Sequence, residues 1–233
     1  MPQKPAIIYT IFMTRGIFIA GNECALSRAI ETETAKRVER YTAALIPNRL
    51  AGAPRNTVQS TEKRVVLDWN PSSPISARTL VLAAENRLDR IDEAILICSP
   101  PSIRCSAAEL PLSDVEIMIN DHIKGWFFLI KELASAFTTR GRGTLALVYS
   151  DIQNTGRDEA ADILGPSSLA SFRSLTQGLL AAAHSETYFT EGFSCSDTGN
   201  EAAFAAFMYK HMDEGNKRSS GKLHKFGKFS FFK

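Results

Sequence analysis

Short apolar runs rich in β-branched residues alternate with longer amphipathic stretches along this chain, and that alternation limits the fold more than any other feature. Gly16 to Gly21 (GIFIAG) reads as a buried strand running into a turn, and further strands are predicted over Tyr41 to Pro47, Arg64 to Asp68, Ala94 to Cys98, Gly143 to Tyr149, Thr187 to Ser194 and Lys222 to Phe232. Between them, helices are predicted over Ala25 to Arg40, Ser76 to Arg90, Ser113 to Thr139, Pro166 to Glu186 and Asn200 to Asp213. Alternating strands and helices are the mark of βαβ units and a parallel sheet with helices on its faces. The expected fold class is α/β, a single doubly wound parallel sheet whose ligand crevice lies at the carboxyl ends of the strands.

The sequence punctuation agrees with that frame. Ala25, Ala29, Ile30 and Val38 form the expected apolar face of the first helix, Ser113 and Glu116 have capping-box spacing at the start of the third, and Pro166 falls in the first turn of the fourth, where its missing N–H is tolerated. Ala51 to Glu62 is the most linker-like segment and is too short to divide two domains. The organisation is therefore an N-terminal extension over 1–15 and one Rossmann-like domain over 16–233.

Composition excludes several functions. With 27 Lys and Arg against 25 Asp and Glu, the net charge of +2 is too balanced for a dedicated polyanion binder, so no nucleic-acid or anionic-membrane partner is expected. The longest apolar stretches, such as Ala6 to Met13, fall short of the roughly 20 residues that span a bilayer. Four cysteines, Cys24, Cys98, Cys105 and Cys195, make no CxxC pair and have no histidine at ligand spacing. No disulfide framework and no metal site is expected, and the default location is a reducing cytoplasm.

Three segments carry a family resemblance. RIDEAILICSP (Arg90 to Pro100), NDHIKGWFFLIKELASAFTTRGRGTLALVYS (Asn120 to Ser150) and GPSSLASFRSLTQGLLAAAHSE (Gly165 to Glu186) occur in the order and spacing of the short-chain dehydrogenases/reductases. They resemble, respectively, the strand that ends in that family's Asn-Asn-Ala-Gly motif, the long helix with an Asn-x-x-Gly element followed by the strand ending in the catalytic serine, and the helix carrying the Tyr-x-x-x-Lys pair. The resemblance covers the chain from about Gly16 onward. It implies a Rossmann fold, an NAD or NADP cofactor and oxidoreductase chemistry.

The functional positions depart from the family's pattern. In that family the tyrosine exchanges a proton with the substrate oxygen, the lysine lowers its pKa and holds the nicotinamide ribose, the serine orients the substrate and the asparagine supports a proton relay. Aligned through SLTQGLLA, the tyrosine position falls on Gly165 and the lysine position on Leu169, and neither side chain titrates. Ser150 keeps the serine position, and the asparagine position falls on His122, a candidate relay base with a pKa near neutrality. Tyr149 precedes the serine and is expected to point to the other side of its strand. In the nucleotide turn Gly21 keeps the first glycine, while Ala25 and Ser27 replace the second and third. Gly21, Ser27 and Ala29 do fit the G-x5-S-x-A spacing of enoyl-acyl-carrier-protein reductases, a divergent branch that binds NAD. Asp68 matches the acidic residue that contacts adenine, and Arg49 stands where a cation would pair a 2′-phosphate and favour NADP.

The candidate catalytic residues are thus Ser150 and His122, and the candidate cofactor contacts are Gly21, Ser27, Asp68 and Arg49. Each also has an ordinary structural reading, as a strand-end serine, a packed histidine, a helix cap or a solvated loop residue. The leading expectation is a pseudoenzyme that has lost oxidoreductase chemistry and assembles with its own copies through the helices at 113–139 and 166–186. The alternative is an active oxidoreductase with non-standard catalytic residues.

Overall fold

The computed structural model describes residues 15–47, 49–50, 60–150, 162–197, 199–214 and 220–227. Seven strands form one wholly parallel sheet: β1 (Ile17–Gly21), β2 (Tyr41–Leu45), β3 (Arg64–Leu67), β4 (Glu93–Cys98), β5 (Thr144–Ser150), β6 (Phe189–Cys195) and β7 (Leu223–Phe226). Their order across the sheet is β3-β2-β1-β4-β5-β6-β7. The chain runs outward from β1 to one edge, then returns to β4 and runs to the other, which is the doubly wound arrangement.

Among the described residues six α-helices cover the faces: α1 (Ala25–Thr34), α2 (Pro74–Leu88), α3 (Leu112–Ile119), α4 (Gly125–Arg140), α5 (Leu164–Ala182) and α6 (Glu201–Asp213). Central strands buried on both sides read as near-continuous apolar runs, and β1 and β4 (IFIAG and EAILIC) are buried throughout, the one charge, Glu93 at the start of β4, being paired with Arg15. Alternate residues feed two separate cores. Phe18, Leu96, Leu147 and Tyr149 face α2, α4 and α5 with Trp126, Leu133, Phe137 and Phe172, whereas Ile19, Ile95, Ile97 and Val148 face α1 and α6 with Ile30, Phe204 and Met208. Tyr149 thus points into the α5-side core, where its ring lies edge-on to Phe172 at 6.4 Å.

Polar ties set the helices on the sheet. The buried Glu31 of α1 meets Arg64 of β3 at 2.8 Å and accepts a hydrogen bond from the Tyr41 hydroxyl of β2 at 3.1 Å. Thr34 and Tyr209 join α1 to α6 through their hydroxyls, 2.5 Å apart.

Several local expectations need correction. The first helix ends at Thr34, and its buried face is Leu26, Ser27, Ile30, Glu31 and Thr34, with Ala25 exposed. The larger side chains turn inward and rotate the helix away from the alanine stripe. Ser113 is not a cap: α3 begins at Leu112 with Pro111 ahead of it, and no side chain caps its first turn. The predicted helix over 113–139 is interrupted by a wide π-turn at Asn120–Lys124. The last strand spans Leu223–Phe226, and the rest of the predicted Lys222 to Phe232 strand lies outside the described residues apart from Lys222 and Gly227, as does the N-terminal extension except Arg15. Among the described residues no helix is long and apolar enough to cross a membrane, and no group of three metal-ligating side chains converges.

Candidate functional site

The strand order reverses between β1 and β4, which places the crevice of the sheet at their carboxyl ends. Gly21 ends β1 opposite Ile97 of β4. A side chain at Gly21 would begin 2.5 Å from the Ile97 carbonyl oxygen and 2.9 Å from its Cβ, so the approach of β4 by itself demands glycine here.

Beyond Gly21 the chain turns into α1 through a closed cap. The Cys24 sulfur accepts the Ser27 N–H at 3.4 Å, while the Ser27 hydroxyl accepts the Cys24 N–H and donates to the Cys24 carbonyl, both at 2.9 Å. This is a capping box built from cysteine and serine. Ser27 is 2% exposed, and its hydroxyl is committed within the helix end. Glu23 stands exposed in the same turn, 3.8 Å from Arg28. A bound pyrophosphate would need free amide donors and a positive field at this helix end. The cap engages the Cys24 and Ser27 amides and Glu23 adds a carboxylate, which leaves the other first-turn amides of α1 as the donors an anion could meet here.

A different opening lies at the carboxyl ends of β2 and β3. A pocket of about 460 Å³ is lined by Leu45, Ile46, Pro47, Val66, Leu67, Asp68, Trp69, Asn70 and Ser76. Asp68, a predicted residue, lines this pocket, and Arg49, another, bonds to its lining residue Asn70. Asp68 lies on its exposed rim, and Arg49 donates to the Asn70 side-chain oxygen at 3.1 Å. The Arg49 guanidinium also approaches Asp121 of the π-turn at 3.7 Å. Asp121 is 1% exposed and neither of its oxygens has a hydrogen-bond partner among the described residues. Burial raises its pKa against the opposing pull of Arg49.

The two predicted catalytic residues lie on separate elements, Ser150 on β5 and His122 in the π-turn. Ser150 is half-buried at the end of β5, opposite Cys195 of β6. His122 is 2% exposed inside the π-turn; its carbonyl accepts the Ser168 hydroxyl of α5 at 3.0 Å, and its Nδ1 has no hydrogen-bond partner among the described residues. Burial pushes its pKa down to about 4, so the expected pKa near neutrality does not hold and the ring is uncharged at neutral pH. Gly165 lies in the first turn of α5, where a side chain would begin 2.5 Å from an Asp162 carboxyl oxygen and 3.2 Å from the Pro101 carbonyl. Leu169, one turn on, packs against the α5-side core. A backbone bridge between Arg104 and Asp162 ties the segment after β4 to the entry of α5.

Sequence reasoning missed Trp69, Asp121 and Asp162. Asp162 had a readable signal, since an aspartate three residues before a helical amide is a cap spacing. Trp69 and Asp121 had none, because their importance comes from neighbours distant in the chain.

No protein-family model matches the chain, and no curated protein matches it in sequence. Solved structures do match. A short-chain type dehydrogenase/reductase from Mycobacterium marinum superposes with a TM-score of 0.68 at 13% identity, over 91% of this chain and 93% of that one. An NADH-dependent reductase, A1-R′, complexed with NAD gives 0.67 at 11% identity over 91% and 95%. A short-chain dehydrogenase/reductase from Serratia marcescens gives 0.65 at 13% identity over 91% and 96%. Seven parallel strands in one helix-flanked sheet, matched nearly end to end, give this chain the fold of the short-chain dehydrogenases/reductases.

Proposed function

We propose that the chain is a short-chain dehydrogenase/reductase-like protein whose NAD(P)-dependent oxidoreductase activity is lost or severely impaired, and that it acts as a structural or regulatory pseudoenzyme. One observation carries the reading. Hydride transfer to a carbonyl builds an alkoxide that an acid must meet within hydrogen-bond reach. At the two positions that would supply and tune that acid stand Gly165 and Leu169, and the Asp162 carboxyl group occupies the volume where a side chain at Gly165 would start.

The assay is NADH and NADPH oxidation with a panel of aldehydes and ketones, followed by cofactor absorbance. The expected outcome is no turnover above buffer; turnover that disappears in Ser150→Ala overturns the reading. Loss of a general acid removes about 10² to 10⁴ in rate, so long incubations are needed.

The second reading, an active oxidoreductase using Ser150 and His122, is favoured by the π-turn, an irregularity frequent at functional sites, and by the unpartnered His122 Nδ1 within it. An uncharged His122 can accept a proton but has none to spare as an acid, so this reading predicts oxidation of an alcohol in preference to reduction of a carbonyl.

The pseudoenzyme is proposed to self-associate through the helical face of α3, α4 and α5. Leu112, Ile119 and Phe127 are exposed on α3 and α4, Phe127 at 51%, and large apolar side chains open to solvent suit a contact surface. Light scattering is expected to report an oligomer that Phe127→Glu breaks; a wild-type monomer ends the proposal. A reducing, cytoplasmic location is supported by four free cysteines.

A further inference from the structure

Past the end of β4 the chain does not turn straight into α3. Residues 99–105 (SPPSIRC) first cross to the entry of α5, where Arg104 forms an antiparallel backbone bridge with Asp162. Pro100 and Pro101 fix their own φ and keep the residues before them extended, so the direction of the crossing is set locally. Exposure then alternates as it does along a strand with one covered face. Pro101, Ile103 and Cys105 are half-buried, and Ser102, Arg104 and Ser106 are exposed. Strand β5 lies between β4 and β6, and α5 packs on β5 and β6. A segment running from the end of β4 to the start of α5 therefore passes the end of β5, where Ser150 stands half-buried.

Asp162 holds this segment in place. Its backbone meets Arg104, one of its carboxyl oxygens accepts the Gly165 amide at 2.9 Å, and the other lies 2.5 Å from where a side chain at Gly165 would begin. The Pro101 carbonyl oxygen lies 3.2 Å from the same point. A methyl group at position 165 would thus press on the crossing segment and on its anchor together. Glycine weakens a helix relative to alanine, and here it provides the seat on which the segment rests. An isolated bridge with exposed side chains belongs to the part of a structure that opens at low cost, ahead of the sheet and its cores.

We infer that residues 99–105 are an autoinhibitory strap, anchored by Asp162 and seated on Gly165, that closes the way to Ser150 and opens as a unit. Opening breaks the Arg104–Asp162 bridge and lifts Pro101 from α5, while β1, β4 and the helices on the two faces stay formed. Closure of this kind sets which molecules reach a crevice, whatever chemistry the crevice performs.

The test uses the full chain carrying Ser150→Cys, treated with iodoacetamide, with each thiol followed by peptide mass spectrometry. In the otherwise unchanged protein the introduced thiol is expected to react at least about 10-fold more slowly than in urea, because it is reached only in the open form. Gly165→Ala is expected to speed its alkylation, and that of Cys105 on the strap, by at least about 5-fold, the effect of overpacking a fitted contact. Cys24, half-buried at the cap of α1, should keep its rate. Pro101→Gly loosens the strap from its other end without touching α5 and is expected to act in the same direction. Hydrogen exchange supplies the second measurement: amides 102–105 should exchange faster in both variants, and those of β1 and β4 should not. Three results each overturn the inference: an introduced thiol that reacts as fast in the folded chain as in urea, unchanged rates in both variants, or an acceleration in Pro101→Gly that Cys24 and the β1 and β4 amides share equally. No cofactor enters the experiment, so the strap and the pseudoenzyme reading fail separately.

Discussion

The Asp162 carboxyl group accepts the Gly165 amide at 2.9 Å through one oxygen, while its other oxygen lies 2.5 Å from where a side chain at Gly165 would begin. The two residues therefore act as one unit at the start of α5, and a change at one alters the cost of a change at the other. Gly165→Ala should gain up to about 1 kcal/mol in helix propensity, yet it displaces the capping carboxyl group and presses on the Pro101 carbonyl. We expect a net loss of about 1 kcal/mol. In an Asp162→Ala background the same substitution should cost less than half as much. A double-mutant cycle from urea unfolding measures the coupling, and additive costs would show that the two residues are independent.

Gly21 tests whether its glycine serves packing. Its side-chain space is filled by the Ile97 backbone, so Gly21→Ala should destabilise the fold by about 1 to 3 kcal/mol through overpacking. Chemical unfolding without any nucleotide present checks this. An unchanged midpoint would return Gly21 to the role of a binding residue.

The cap of α1 yields substitutions of opposite sign. Ser27→Ala removes the hydroxyl that accepts the Cys24 N–H and should cost about 1 kcal/mol. Cys24→Ser replaces a long sulfur acceptor at 3.4 Å with a preferred N-cap oxygen and should raise stability by a few tenths to about 1 kcal/mol. Thermal melts of the two variants beside the wild type read the signs directly.

His122 makes stability depend on pH in a defined direction. Burial lowers its folded-state pKa from the ordinary 6.5 to about 4, so the unfolded chain binds the proton first. The contribution is fully present above pH 6.5 and declines as pH falls toward 4, by about 3 kcal/mol in total. Asp121 next to it is shifted upward by burial and acts in the opposite sense, so the informative quantity is the difference between wild type and His122→Gln. Urea midpoints from pH 7.5 to 4.5 should converge as the pH is lowered, and parallel profiles would contradict the buried neutral ring.

The fold was legible because its signal is local. β4 reads as AILIC and is found as EAILIC, and β2 and β6 lie within two residues of their predicted ends. Apolar period does not record a single surplus residue, so the π-turn inside the predicted helix over 113–139 was invisible. The site was legible only where absence speaks. Gly165 and Leu169 could be identified as non-titrating from sequence, Asp68 lines the pocket, and Arg49 bonds to its neighbour Asn70. The closed cap at Ser27 and the occupied volume beside Gly165 depend on where two hydroxyl or carboxyl oxygens point, which no spacing rule supplies.

The π-turn also makes the chain unequal in its tolerance of length. Five residues, Asn120–Lys124, fill a turn that an α-helix closes with one fewer. Removing one there would tighten the turn to an ordinary one and leave Met118 on one side and Trp126 on the other still pointing into the protein. Removing one residue between Leu129 and Leu133 would instead turn everything beyond it by about 100° and swing Phe137 into water. The long helix thus carries one place where its reading frame can slip while the apolar faces on either side keep their direction, at the cost of the contacts that Asp121 and His122 make there.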